Sequence, residues 1–329
     1  MLSRVTHRPR TKSRWLYQAA LAAGCLIGLA GLAWNGVVVA AGRQAAGRPA
    51  GFTDLGRVLE PKDFGQPDGT IIGDPTAVLR PDGRIDLFVY VDGAGVWRAV
   101  SRDSSGTSFD VSGRCVLIPH RPTNRRGTPW GMPRVVPIAS GYRMFYMQDG
   151  GIASATSTDG MTWTQEPGLR ITPEQAGVRE TTTGTVVPRA TGGYRMYFSA
   201  LRHSPADPAT PMKSATSDDM LTWVMDEGVR IGPGSTLDQN ATDPFALREP
   251  DGSISAWYFV QPAASSRFAG RPGLYVARSD DGLAFHSSSW TGIPGGNPHV
   301  VVRADGARFM YLSDPRPNRD AGIRVVRLE

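Results

Sequence analysis

The 329-residue chain is poor in cysteine and lysine. Of its two cysteines, Cys25 sits inside the first hydrophobic run. Cys115 is the one thiol left for the rest of the chain, so no disulfide can staple that part and its fold must rest on its own core. Cys115 lies in the apolar stretch GRCVLI and reads as a small buried hydrophobe. The three lysines (Lys12, Lys62 and Lys213) stand against 33 arginines, a bias that reflects genome composition. Helical periodicity is missing, which excludes a bundle or an α/β repeat. Also missing are a phosphate-cradling glycine loop and a Ser-His-Asp pattern. His120, His203 and His286 fall in loop-like or turn-following segments without metal-ligand spacing.

Acid is absent ahead of Asp54, whereas Arg4, Arg8, Arg10, Lys12 and Arg14 crowd the start. Those five residues carry most of the formal charge of +6; without them 31 basic residues face 30 acidic ones. The part that folds is therefore close to neutral. A nucleic-acid binder would keep its basic excess there, so that partner class is excluded. Charge of either sign is then absent from residue 15 to residue 42. A basic head followed by a long apolar run is an export signal whose basic side stays in the cytoplasm. The apolar run, residues 15–41, exceeds the roughly 20 residues that span a bilayer, and so reads as an uncleaved anchor. The small residues Val39-Ala40-Ala41 support a cleaved signal instead. Either way the remainder is exported: membrane-held by a single pass with the C-terminal domain outside, or secreted. Residues 1–42 form this basic tail and hydrophobic segment, residues 43–53 a linker, and residues 54–329 the folded domain.

What fills residues 54–329 is a repeat. The stretch GYRMFYMQDGGIASATSTDGMTWTQEPGLRI, residues 141–171, returns as residues 193–231 with an eight-residue insertion (within residues 202–211) between two alternating runs. A hairpin tip tolerates such an insertion. Five units open with a turn residue and a strand: Asp74-Pro75, Met132-Pro133, Thr183-Gly184, Asp243-Pro244 and Asn297-Pro298. Aromatic second strands follow (IDLFVYV, YRMFYM, YRMYFS, ISAWYFV, ARFMYL), several across Asp-Gly turns. Third strands end in a Ser-x-Asp-Gly-x-x-Trp box, clearest at Ser157, Asp159, Gly160 and Trp163. It recurs at residues 217–223 and 279–285 and, more loosely, at residues 101–109. The Asp can accept backbone N–H groups of a turn while the aromatic ring packs back on the sheet, so these aspartates are expected to be structural.

Fourth strands are expected at residues 113–116, 168–171 and 228–231, and a short helical turn within residues 173–180. The last unit lacks a fourth strand, and residues 56–59 (GRVL) supply one from the front. The expected fold is all-β: a five-bladed propeller closed by that strand, read as a monomer.

Five blades, Asp-Pro at inner-strand starts and the box turns resemble the five-bladed glycoside hydrolases, notably the arabinanase/β-xylosidase family 43 and its invertase and levansucrase relatives. The resemblance implies an active site at one mouth of the ring, where the inner strands begin. It implies an Asp in the first blade as base or nucleophile, an Asp in the second that tunes the acid, and a Glu in the third as the acid. Asp74 matches the first position, and Glu180, three residues ahead of Thr183, matches the third. The second blade departs from the pattern: Trp130-Gly131-Met132-Pro133-Arg134 has no carboxylate, and Asp243 in the fourth blade is the candidate for the extra charge.

From the residues themselves, Asp74, Glu180 and Asp243 are catalytic candidates because clustered carboxylates raise one another's pKa and leave one protonated. Trp130, Arg134, Asn297 and His299 are substrate-binding candidates for a carbohydrate, with Trp130 suited to a sugar face and Arg134 to a hydroxyl or carboxylate. No metal ligands are assigned, although related enzymes sometimes place a His near a central ion, so a structural ion on the axis is an open expectation. A non-catalytic propeller that binds carbohydrate or protein is the other reading of the same residues.

Overall fold

The computed structural model describes residues 51–118, 131–201, 210–260, 271–314 and 322–329. Trp130, the hydrophobic segment of residues 15–41 and nearly all of the insertion at residues 202–211 lie outside the described residues.

The described chain is all-β. It opens with β1 (Phe52–Leu59), and blade 1 is β2 (Ile72–Leu79), β3 (Ile85–Val91), β4 (Gly95–Ser101) and β5 (Phe109–Arg114). A short β6 (Val116–Ile118) leads to blade 2, which is β7 (Gly131–Ile138), β8 (Gly141–Gln148), β9 (Gly151–Ser157) and β10 (Thr162–Gln165). The single α-helical turn α1 (Pro173–Ala176) precedes blade 3. Its inner edge is split into β11 (Glu180–Thr181) and β12 (Thr185–Pro188), followed by β13 (Tyr194–Leu201), β14 (Met212–Ser217) and β15 (Val224–Met225). Blade 4 is β16 (Thr242–Arg248), β17 (Ile254–Val260), β18 (Gly273–Ser279) and β19 (His286–Trp290). Blade 5 is β20 (Gly296–Val302), β21 (Arg308–Asp314) and β22 (Gly322–Leu328), with β1 as its outer strand, antiparallel to β22.

The sequence alternation decides which seam each side chain fills, because successive side chains leave opposite faces of a strand. On β3, Leu87 and Val89 pack toward blade 5 with Tyr311 and Val325, whereas Phe88 packs toward blade 2 with Met144 and Trp163. Five apolar clusters result, one between each pair of neighbouring blades.

Four seams repeat one device. The second-strand aromatics Phe88, Phe145, Tyr197 and Tyr311 meet the box aromatics Trp163, Trp223, Phe285 and Phe109 of the next blade edge to face, at centroid distances of 5.7–6.0 Å. Polar stitches run alongside. Arg98, Arg143 and Arg195 each donate from Nη1 to the main-chain carbonyl of the neighbouring box aspartate (Asp159, Asp219, Asp281) at 3.1–3.2 Å.

The boxes are turns held by their aspartates. Asp159 accepts from the N–H groups of Met161 (2.7 Å) and Thr162 (2.8 Å), and Trp163 Nε1 donates to the Gly160 carbonyl. Asp219 and Asp281 do the same in blades 3 and 4.

The fourth strands differ from expectation. In blade 2 the outer strand β10 begins inside the box and pairs with β9, whereas of residues 168–171 only Ile171 bridges back, to Ile152. Pro167 has no N–H for the ladder and Gly168 has φ 75°, so the strand breaks there before rejoining. Ile231 bridges Met212 in the same way in blade 3. In blade 1 the outer strand is β5, and Cys115 is where the chain crosses over. Its N–H still bonds to Val96, but Val116–Ile118 pairs in parallel with β10 of blade 2.

Candidate functional site

One mouth of the ring is defined by the inner-strand starts, and a repeated irregularity shapes it. Proline cannot donate to the ladder, so at Asp74-Pro75, Met132-Pro133, Asp243-Pro244 and Asn297-Pro298 the register slips. The residue before each proline takes a left-handed backbone, with φ of 51°, 52°, 52° and 49°. Such a conformation is costly for a residue with a Cβ and clusters at functional sites. Blade 3 solves the same step differently. A Cβ on Gly184 would lie 1.9 Å from the Tyr197 carbonyl oxygen, so the backbone passes where only glycine fits, and Thr183 Oγ1 donates to the Met132 carbonyl. The ring of five is thus Asp74, Met132, Thr183, Asp243 and Asn297.

Two of the bulges are anchored alike. Asp74 N–H donates to Ser313 Oγ of blade 5, and Asp243 N–H donates to Ser199 Oγ of blade 3, both at 3.0 Å. Asn297 Nδ2 donates to Asp74 Oδ1 and, at 3.3 Å, to the same Ser313 Oγ. Neither serine was picked out from the sequence. Their signal is the repeated Met-Tyr-x-Ser of Met196–Ser199 and Met310–Ser313, which sets each hydroxyl at one register of a second strand.

Two residues further along each inner strand, a second ring closes the axis: Thr76, Arg134, Thr185, Phe245 and His299, all buried. Thr76 Oγ1 donates to the Pro133 carbonyl at 2.6 Å, and Thr185 Oγ1 to the Pro244 carbonyl at 3.1 Å, tying blade to blade. The His299 ring packs against Phe245, tilted by 56° at a centroid distance of 4.5 Å, and its Nδ1 accepts the Ala77 N–H at 3.3 Å. Burial, with the Arg134 charge adding to it, holds its imidazole neutral, its pKa well below the usual value. His299 therefore braces three blades and lies beneath the mouth. This ring does not suit a metal ion, since Arg134 is already a cation and the imidazole lone pair of His299 is engaged. Among the described residues no group of three or more His, Cys, Asp or Glu side chains could hold a metal.

The electrostatics couple the two rings. Burial pushes the Asp74 carboxyl up to about 7; the Arg134 guanidinium opposes the rise, the Asp243 charge adds to it and the Asn297 hydrogen bond opposes it. Asp243 is also raised by burial, against the pull of Arg134 and a hydrogen bond from Thr242. Tyr90 completes this wall. Its ring lies against Gly131, where a Cβ would meet it at 3.3 Å, and burial raises its phenol above the usual range.

The structure thus brings Asp74, Asp243, Arg134, Asn297 and His299 to one place. Glu180 is half-buried on β11, at the blade 3 rim of the same mouth. It pairs with Leu201, one step above the Thr182–Ser199 hydrogen bond, and the next residue, Thr181, donates to the Gly150 carbonyl.

No known family model and no curated protein matches the chain. Solved structures do. A glycoside hydrolase superposes with TM-score 0.66 at 15% identity, covering 84% of this chain and 92% of that one. The endo-arabinase of Bacteroides thetaiotaomicron VPI-5482 gives 0.60 at 12% identity, covering 79% and 94%. A structure from the GH130 family of mannoside phosphorylases, which contains glycoside hydrolases that target β-1,2 mannosidic linkages in Candida mannan, gives 0.60 at 18%, covering 86% and 95%. The fold is the five-bladed propeller of glycoside hydrolases. Identities this low carry the architecture and leave the chemistry to the residues at the mouth.

Proposed function

We propose that the chain is a glycan-active enzyme, a glycoside hydrolase working at this mouth on a cell-envelope or extracellular polysaccharide. The observation that carries the proposal is the pairing of Asp74 and Asp243 on strained bulges over a buried Arg134, with the Asp74 carboxyl at about 7. A base works best when its pKa lies near the working pH. Asp74 is the base or nucleophile: Asn297 holds Oδ1, which leaves Oδ2 for water or the anomeric carbon. Glu180, from the rim, is the acid that protonates the leaving oxygen, as glycoside cleavage requires opposite a base. Asp243 supplies the charge that blade 2 lacks. Trp130, beside Gly131, serves a sugar face. Export by the segment of residues 15–41, as anchor or signal, would bring the domain to such a substrate.

Met132, in place of a second-blade carboxylate, favours a second reading, a propeller that binds glycan without cleaving it. One experiment separates the two. The full-length chain is offered arabinan, xylan, fructan and native envelope glycans, alongside Asp74→Asn and Glu180→Gln. Hydrolysis lost by roughly 100-fold or more in both variants supports the assignment. Hydrolysis that survives both removes it, and binding without hydrolysis favours the second reading.

A further inference from the structure

Among the described residues Arg134 is the one cation at the site, and the pattern the sequence resembles has no counterpart for it. It stands two residues past Met132, at the step that Thr76, Thr185, Phe245 and His299 occupy in the other blades. Its side chain is buried. Nη1 donates to the Pro133 carbonyl at 3.2 Å, and Nε has no partner among the described residues. A buried guanidinium does not shed its proton and needs a counter-charge. The groups whose charges reach it are Asp74 and Asp243, and no direct ion pair joins it to either among the described residues. Its compensation therefore acts through the field. With one buried cation facing the buried Asp74 carboxyl and the half-buried Asp243 carboxyl, the neutral arrangement is one carboxylate and one carboxylic acid.

We infer that Arg134 is a positioning residue that acts from blade 2 in the opposite sense to the acid expected there: its buried charge holds one carboxylate of the Asp74–Asp243 pair ionised and lets the other ionise in turn. An acid at this blade would add like charge and hold the proton on. The cation does the reverse. The other groups facing Asp74 do not substitute for it. Asn297 is not titratable, His299 is neutral beneath the mouth, and Tyr90, raised by burial and by Asp92, keeps its proton.

The inference rests on the catalytic reading for its consequence but not for its test. In the full-length chain, the protonated carboxyl band is followed by infrared titration. Asp74→Asn, which removes the signal, assigns it. Arg134→Met is expected to move the midpoint up by roughly one to three pH units, the range an adjacent opposite charge commands. Arg134→Lys should restore most of the shift. Asp243→Asn, by removing the like charge, should move the midpoint down. A midpoint unmoved in Arg134→Met overturns the inference. If that variant does not fold, an unmoved or raised midpoint in Asp243→Asn does so. Where hydrolysis is measurable, the pH limb of kcat/KM moves with the same variants. Where the wild type hydrolyses nothing, the catalytic reading fails and the titration still decides the role of Arg134.

Discussion

Asp74 and Asp243 occupy the same step of two different blades, each left-handed before a proline and each with its N–H on a buried serine of the preceding blade. The serines hold the bulges by satisfying an N–H that the ladder has abandoned. Ser199→Ala and Ser313→Ala should each destabilise the fold by about 1–3 kcal/mol, the cost of a buried donor left unpaired. Urea unfolding measures this. Losses near zero would mean that the bulges are held by other contacts.

Stability should depend on pH through Asp74. The folded chain raises this carboxyl from 3.8 to about 7, so the native state binds its proton more tightly than the unfolded chain does. The wild type carries no penalty below pH 4, loses stability as pH rises from about 4 to 7, and carries the full penalty above 7. At about 1.4 kcal/mol per pH unit the whole effect is of the order of a few kcal/mol. Asp74→Asn removes it, so the stability difference between variant and wild type should shift toward the variant across that window. A flat difference from pH 4 to pH 8 would rule out a raised Asp74.

The box aspartates should behave as scaffold. Asp159→Ala frees the N–H groups of Met161 and Thr162 and should cost about 1 kcal/mol, the usual loss for a side-chain cap. Glycan hydrolysis or binding, assayed below the new melting temperature, should not change. A loss of activity at unchanged stability would place function on that face of the ring.

Gly184→Ala tests the close passage in blade 3. A methyl group 1.9 Å from the Tyr197 carbonyl oxygen cannot be accommodated without moving two strands. We expect a loss of several kcal/mol and a drop in soluble yield. The nearby control Gly192→Ala has open space around its Cβ but a φ of 90°, so it should lose about 1–2 kcal/mol from backbone strain alone, less than Gly184→Ala.

Much of the ring was legible from residues 141–171 and their copies, because period-2 alternation and the box turns are local signals. The seams were not: the box aromatics read as packing back on their own sheet, yet Trp163 meets Phe88 of the neighbouring blade, a contact that only the packing of blade on blade creates. Less legible was where outer strands begin. The segment Gly168-Leu169-Arg170-Ile171 reads as a strand, yet the Pro167-Gly168 break leaves only an isolated bridge at Ile171, with the Arg170 N–H on the same Ile152 carbonyl, and Val116–Ile118 joins the neighbouring blade by parallel pairing that no local pattern announces. At the mouth, Asp74 and Asp243 stand out through their Asp-Pro pairs. The part played by Arg134 does not, because its importance comes from burial and from the two carboxyls that other blades bring to it.

The two ends of the acidity scale are kept in different parts of the ring. Asp159, Asp219 and Asp281 are held below the ordinary carboxylate range, chiefly by backbone N–H groups. Asp74 and Asp243 are lifted above it. Protonation that would loosen the turns begins below the ordinary carboxylate range, whereas the change that alters the mouth lies near pH 7. The charge at the mouth can therefore switch near neutrality while the masonry that holds it in place stays unaltered.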